Sequence, residues 1–112
     1  MVPSDQGEPG GLEGPAMTIT STRSLSLSGE LDMASEPDLL LRITALAEPG
    51  TTVELDLSGV TFMDSSALRG LVNAQWDAQA AGGDVTISAA SPLVRRLLDI
   101  TGLGAQFGLS ET

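Results

Sequence analysis

Apolar and polar residues alternate along "TTVELDLSGVTFM", residues 51–63, where Val53, Leu55 and Leu57 are separated by Glu54, Asp56 and Ser58. A period of two is strand periodicity, because successive side chains of an extended chain point to opposite faces. A weaker alternation runs through "MTITSTRSLSLSGELD", from Met17 to Asp32, with Ile19, Leu25 and Leu27 spaced by Thr and Ser. It predicts two strands with a turn near Thr22 and Arg23, the second ended by Gly29. "DVTISAA", residues 84–90, predicts another short strand through Val85 and Ile87, and a final one is expected near Ala105 to Leu109.

Between these runs the period changes to that of a helix. In "ASEPDLLLRITALAEPG", Leu39, Leu40, Ile43, Leu46 and Ala47 form one stripe, with Ser35 as N-cap, Pro37 in the first turn and Pro49-Gly50 as the stop. A second helix begins near Ser65 or Ser66 and runs to Ala81. Its inner face carries Leu68, Leu71, Val72 and Gln75 at i, i+3, i+4 and i+7, and Gly82-Gly83 ends it. "SPLVRRLLDITG" is the third, capped by Ser91, opened by Pro92 and stopped by Gly102. Alternating strands and helices imply an α/β domain: a mixed, mostly parallel sheet of four to five strands with about three helices packed on it. Functional groups in such folds gather on the loops at strand ends. Residues 1–16, "MVPSDQGEPGGLEGPA", are Gly, Pro and acid, and read as a disordered tail before a domain over 17–112, with Met17 a candidate start.

Composition narrows what that domain does. Only 3% of the chain is aromatic, so the core must be aliphatic. The net charge is -10, from fifteen acids against five arginines and no lysine. Such a chain repels nucleic-acid phosphates and anionic lipid, so neither is an expected direct partner and a basic protein surface fits better. The absence of cysteine removes thiol nucleophiles and disulfides, and the absence of histidine removes Ser-His-Asp triads and most zinc sites. No cofactor is signalled; magnesium on Asp32, Asp56 or Asp64 is only weakly signalled. No apolar run approaches a membrane span and the N-terminus lacks signal-peptide character, so a cytoplasmic location is expected.

The candidate chemistry sits in "VTFMDSSALRG", residues 60–70, where Asp64, Ser65 and Ser66 stand at a strand-to-helix junction. One Asp or Ser there is an ordinary cap, worth about 0.5–2 kcal/mol. Three in a row exceed what a cap needs. A serine nucleophile fails, because there is no G-x-S-x-G turn and no histidine base. A phosphate-binding loop and a receiver domain fail for want of lysine. What survives is a hydroxyl that accepts phosphate from another protein, at a helix N-terminus that tolerates the new charge.

These residues also carry a resemblance. "SGELD" at Ser28–Asp32, "LDLSGVTFMDSSALRGLV" at Leu55–Val72 and "SPLVRRLLDITGL" at Ser91–Leu103 occur in the order found in the STAS domain of bacterial anti-sigma-factor antagonists, over roughly residues 17 to 109. The resemblance implies a STAS fold and a binding module that is not an enzyme. It implies that Ser65 is phosphorylated by an anti-sigma factor that is itself a serine kinase. The unphosphorylated form would bind that partner and free the sigma factor, and a metal-dependent serine phosphatase would reverse the modification. It further implies that Asp32 lies near Ser65 and that Asp64 and Ser66 flank it. The partner surface would extend over the exposed face of the following helix, through Arg69, Asn73 and Trp76, whereas Arg95 and Arg96 read as a solvated helix face. Ala67 stands where the family commonly has glycine. The short N-terminal strand region, and an end at Thr112 where many members carry another helix, would leave sheet surface less covered. Two other readings stay open: a STAS module that assembles with partners without phosphorylation, Ser65 being only a cap, and a small-molecule or nucleotide sensor.

Overall fold

A computed structural model describes residues 21–109 of the chain. The order is β1 (Ser21–Leu31), α1 (Glu36–Leu46), β2 (Thr51–Met63), α2 (Ser65–Ala80), β3 (Asp84–Ala90), α3 (Pro92–Thr101) and a 3₁₀ turn over Ala105–Phe107. The strands form one sheet in the order β1-β2-β3, and both pairings are parallel.

Three expectations are corrected here. The sheet has three strands among the described residues, not four to five, and it is parallel, not mixed. Thr22 and Arg23 are not a turn: β1 runs straight through them, because each faces a residue of β2, Thr52 and Val53, in an unbroken ladder. The first predicted strand, around Ile19, and the tail over 1–16 lie outside the described residues. The strand expected near Ala105 to Leu109 is a 3₁₀ turn in which Phe107 N–H donates to Gly104 O at 3.2 Å. Phe107 is fully buried, so its ring fills the core from this turn.

β2 is the central strand, and its alternation is used as the pattern predicts. Val53, Leu55 and Leu57 are fully buried, while Glu54 and Asp56 are only partly covered. Across the ladders Leu25 faces Leu55, and Leu55 faces Ile87, which stacks one apolar face across the sheet. Each β-α-β connection between parallel neighbours is right-handed by the general rule, so α1 and α2 share a face, where they pack on each other. Leu39 and Ile43 of α1 and Leu68 and Leu71 of α2 supply that layer. The third helix, α3, packs against β2 and β3 through Val94 and Leu98. Its caps are as predicted: Ser91 Oγ accepts from Val94 N–H at 3.4 Å, and Gly102 closes the end at φ 74°.

A bulge interrupts the β1-β2 ladder between Ser26 and Ser28. On the β2 side, the Ser58 hydroxyl and N–H both donate to Asp56 Oδ1, at 2.6 and 2.9 Å. Those two bonds hold the Asp56 carboxyl below the ordinary aspartate range, the hydroxyl contributing more.

Gln75 shows what periodicity cannot tell. It lies on the inner face of α2 as expected and is fully buried, yet it is polar. Its Nε2 donates to Val85 O and to Gln106 O, both at 2.9 Å, and its Oε1 accepts from Gln106 Nε2 at 2.8 Å. The side chain therefore stitches α2 to β3 and to the C-terminal turn. Replacing it with leucine leaves the buried Val85 carbonyl without this donor, an expected loss of about 1–3 kcal/mol. Urea denaturation of Gln75→Leu measures it, and a variant as stable as the parent would show that apolar packing alone seats the turn.

Candidate functional site at the carboxyl ends of the strands

All three strands point the same way, so their carboxyl ends deliver three loops to one edge of the sheet: Asp32 follows β1, Asp64 follows β2 and Ser91 follows β3. The first two are joined. Asp64 N–H donates to Leu31 O at 3.1 Å, and Met33 N–H donates to Asp64 Oδ2 at 3.1 Å. The other carboxylate oxygen, Oδ1, accepts from Ala67 N–H at 2.9 Å. One side chain thus caps α2 and fastens the β1-α1 loop beside it.

This geometry assigns the cap. It is Asp64, in extended conformation at φ -102° and ψ 178°, and the helix proper starts at Ser65. Ser65 is exposed, and among the described residues no hydrogen bond engages its hydroxyl. Ser66, next in the first turn, is partly buried. Asp32 has turned inward on its own loop, its Oδ1 accepting from Ala34 N–H and Ser35 N–H at 3.0 Å each. It shapes the loop that Asp64 holds, and no bond links it to Ser65 among the described residues. Ser35, expected to cap α1, occupies the cap position without capping through its side chain; its hydroxyl instead accepts from Asp32 N–H at 2.9 Å.

Down α2 from Ser65, Arg69 and Asn73 are exposed, and Trp76 is 60% exposed. At about 100° per residue these four positions fall within an arc of about 80°, one stripe on the helix surface. Trp76 therefore lies on the exposed face of α2. Met33 was not singled out in the sequence, yet it is 72% exposed and its N–H rests on Asp64. Its only sequence signal is an apolar residue directly after "GELD", in a loop that should be polar. Asp56 lies back on the sheet at the bulge, apart from these residues, and no three acidic side chains converge as a metal site among the described residues.

The description "Mlab, STAS domain" fits residues 18–110 of this chain, five-sixths of its length. The chain belongs to the STAS-domain family. A STAS relative, the anti-sigma-B factor antagonist of Bacillus subtilis (strain 168), is 34% identical over 79 residues, covering 70% of this chain and 72% of the relative. The crystal structure of an anti-sigma factor antagonist from Mycobacterium paratuberculosis aligns at TM-score 0.68 and 33% identity, over 81% of this chain and 78% of the other. The structure of the anti-sigma factor antagonist SpoIIAA in its unphosphorylated form aligns at TM-score 0.64 and 26% identity, over 80% and 79%. The STAS resemblance drawn from the three sequence motifs therefore holds along the described domain. No helix among the described residues is long and apolar enough to cross a membrane.

In this STAS domain the bidentate use of Asp64 makes a separable prediction. Asp64→Ala removes the cap and the bridge together, and should cost about 1–2 kcal/mol. Asp64→Asn keeps one carbonyl oxygen, enough for Ala67 N–H or Met33 N–H but not both, and should fall between the parent and the alanine variant. Chemical denaturation of the three proteins checks this order; equal stability of parent and Asp64→Asn would mean the Met33 contact adds nothing.

Proposed function

We propose that this chain is an anti-sigma-factor antagonist working as a phosphorylation-dependent binding module, not as an enzyme. In its unphosphorylated form it binds an anti-sigma factor that is also a serine kinase, and so releases the sigma factor for transcription in the cytoplasm. The kinase transfers the γ-phosphoryl group of Mg-ATP to Ser65 Oγ, ADP leaves, and the hydroxyl proton goes to a base on the kinase. A serine phosphatase hydrolyses the ester with water, frees inorganic phosphate and restores the binding form.

One observation carries this reading. Asp64 performs the capping, so the Ser65 hydroxyl is exposed and engaged by no hydrogen bond among the described residues, at the helix N-terminus. A cap serine would be half-hidden and bonded to its own backbone; this one is presented to solvent. The names of the relatives, an anti-sigma-B factor antagonist and an antagonist described in an unphosphorylated form, support the same reading. The docking surface is the loop edge and the α2 stripe, with Asp32, Asp64 and Ser66 shaping the site and Arg69, Asn73 and Trp76 continuing it.

The test is phosphate incorporation. Purified chain is mixed with each kinase-type anti-sigma factor of its own genome and Mg-ATP, and the product is mapped by mass spectrometry. A single phosphate on Ser65, lost in Ser65→Ala, is the expected result. Tight, nucleotide-independent binding with no phosphate on the chain would favour the module that assembles without a switch.

A further inference from the structure

Helix α3 carries more apolar surface than its packing uses. Val94 and Leu98 face inward and are fully buried, whereas Leu93 is 43% and Ile100 is 72% exposed. Leu93, Arg96, Leu97 and Ile100 recur at i, i+3, i+4 and i+7, so they form a second stripe along one side of the helix. Across from it stands Phe62, 45% exposed near the end of β2. Together with Met63 and Pro92 these side chains line an open groove of about 610 Å³. Its walls are apolar apart from Arg96, the one charged residue lining it among the described residues.

Two features say what the groove receives. The first is position: Phe62 and Met63 form one wall and lead directly into Asp64 and Ser65, and Pro92 opens α3 just after the end of β3. The groove therefore begins on the same edge as the proposed phosphorylation site. The second is charge. In a chain of net charge -10, a guanidinium set at the rim of an apolar groove is complementary to a carboxylate placed next to an apolar side chain. Arg96, read from sequence as part of a solvated face, then has a specific use.

We propose that this groove is a second docking subsite for the kinase-type anti-sigma factor, receiving a segment that places a large apolar side chain between Phe62, Leu93 and Ile100 and an adjacent Asp or Glu against Arg96. The inference rests on the antagonist reading above for the identity of the partner. The groove anchors the partner by burying apolar surface, away from the serine. Ser65 then supplies the part of the interface that phosphate can veto.

The experiment measures binding of each kinase-type anti-sigma factor of the same genome to the full chain and to the variants Ser65→Glu, Ile100→Glu and Arg96→Glu. Ile100 and Arg96 are exposed, so their variants keep the fold, which melting temperatures within about 4 °C of the parent verify. The expected result is that Ile100→Glu weakens binding about 30-fold, as for a central apolar anchor, and Arg96→Glu about 10-fold. Groove variants that bind like the parent, while Ser65→Glu does not bind, overturn the subsite and leave the switch standing. Weakened groove variants with Ser65→Glu unaffected support the subsite and overturn the switch. A parent chain that binds none of these anti-sigma factors overturns both.

Discussion

Glutamate at position 65 is expected to raise the dissociation constant for the anti-sigma factor by at least about 100-fold, close to 2.7 kcal/mol, with the fold unchanged. Ser65 is the first residue of α2, where unpaired N–H groups and the helix dipole favour a negative side chain by about 0.3–1 kcal/mol. Among the described residues the substitution removes no side-chain bond, because Asp64 makes the cap. Stability should therefore hold or rise slightly. On the proposed function binding should not hold: a bulkier, charged group on the proposed docking edge would meet a surface complementary to a small hydroxyl, and mismatched charge in an interface costs several kcal/mol. Ser65→Ala is the matched control, expected to bind like the parent and to accept no phosphate. Calorimetric titration of the three proteins decides it. A glutamate variant that binds as well as the parent would remove Ser65 from the interface.

Alanine at Gly83 is expected to destabilise the domain by about 3 kcal/mol, a fall of roughly 10–20 °C in melting temperature. The end of α2 is a Schellman arrangement, with Gly83 N–H donating to Ala78 O at 2.8 Å and Gly82 N–H to Gln79 O at 3.0 Å. It brings the chain hard against the start of β2. A Cβ on Gly83 would run into the Thr51 carbonyl oxygen and lie 2.9 Å from Thr51 C and 3.0 Å from Thr51 N. These are backbone atoms of a buried residue whose own N–H is held by Glu48 O at 2.9 Å, so they cannot step aside. Relief would have to pull β3 from β2 at the Thr52-Asp84 pair. Gly82 is the control. It sits at φ 84° with Gly50 N no nearer than 3.9 Å to a built Cβ, so alanine there meets only the left-handed penalty of about 1–2 kcal/mol. Thermal melts of both variants separate the two costs; equal losses would mean that Thr51 yields.

Much of this was legible along the chain. Strand β2 and the boundaries of α3 follow from alternation and from the Ser-Pro and Gly signals, because a buried central strand and a capped helix obey local rules. The junction at Asp64-Ser65-Ser66 was legible as the start of α2. Which of the three residues caps was not, since Asp and Ser are equivalent as local acceptors and only the neighbouring loop, through Met33 N–H, favours a carboxylate with two oxygens. β1 was misread as a hairpin because Thr and Arg in an otherwise serine-rich strand resemble a turn, and only pairing with Thr52 and Val53 of β2 keeps them extended. Gln75 was placed on the correct face but without its partners: periodicity gives direction, and its bonds reach a residue thirty-one positions away. The apolar groove escaped because the inner and outer stripes of α3 look alike as letters.

The double engagement of Asp64 also bears on how a modified and an unmodified chain would differ. Its two oxygens hold the N–H of Met33 in the β1-α1 loop and the N–H of Ala67 in the first turn of α2, so it cannot swing away from a phosphate on the next residue without loosening both. The two forms should superimpose, and the partner would sense an altered electrostatic field rather than an altered shape. Discrimination of that kind fades as ionic strength shortens the Debye length, from about 10 Å at 0.1 M to about 3 Å at 1 M. The steric share of the phosphate would then be what remains in concentrated salt.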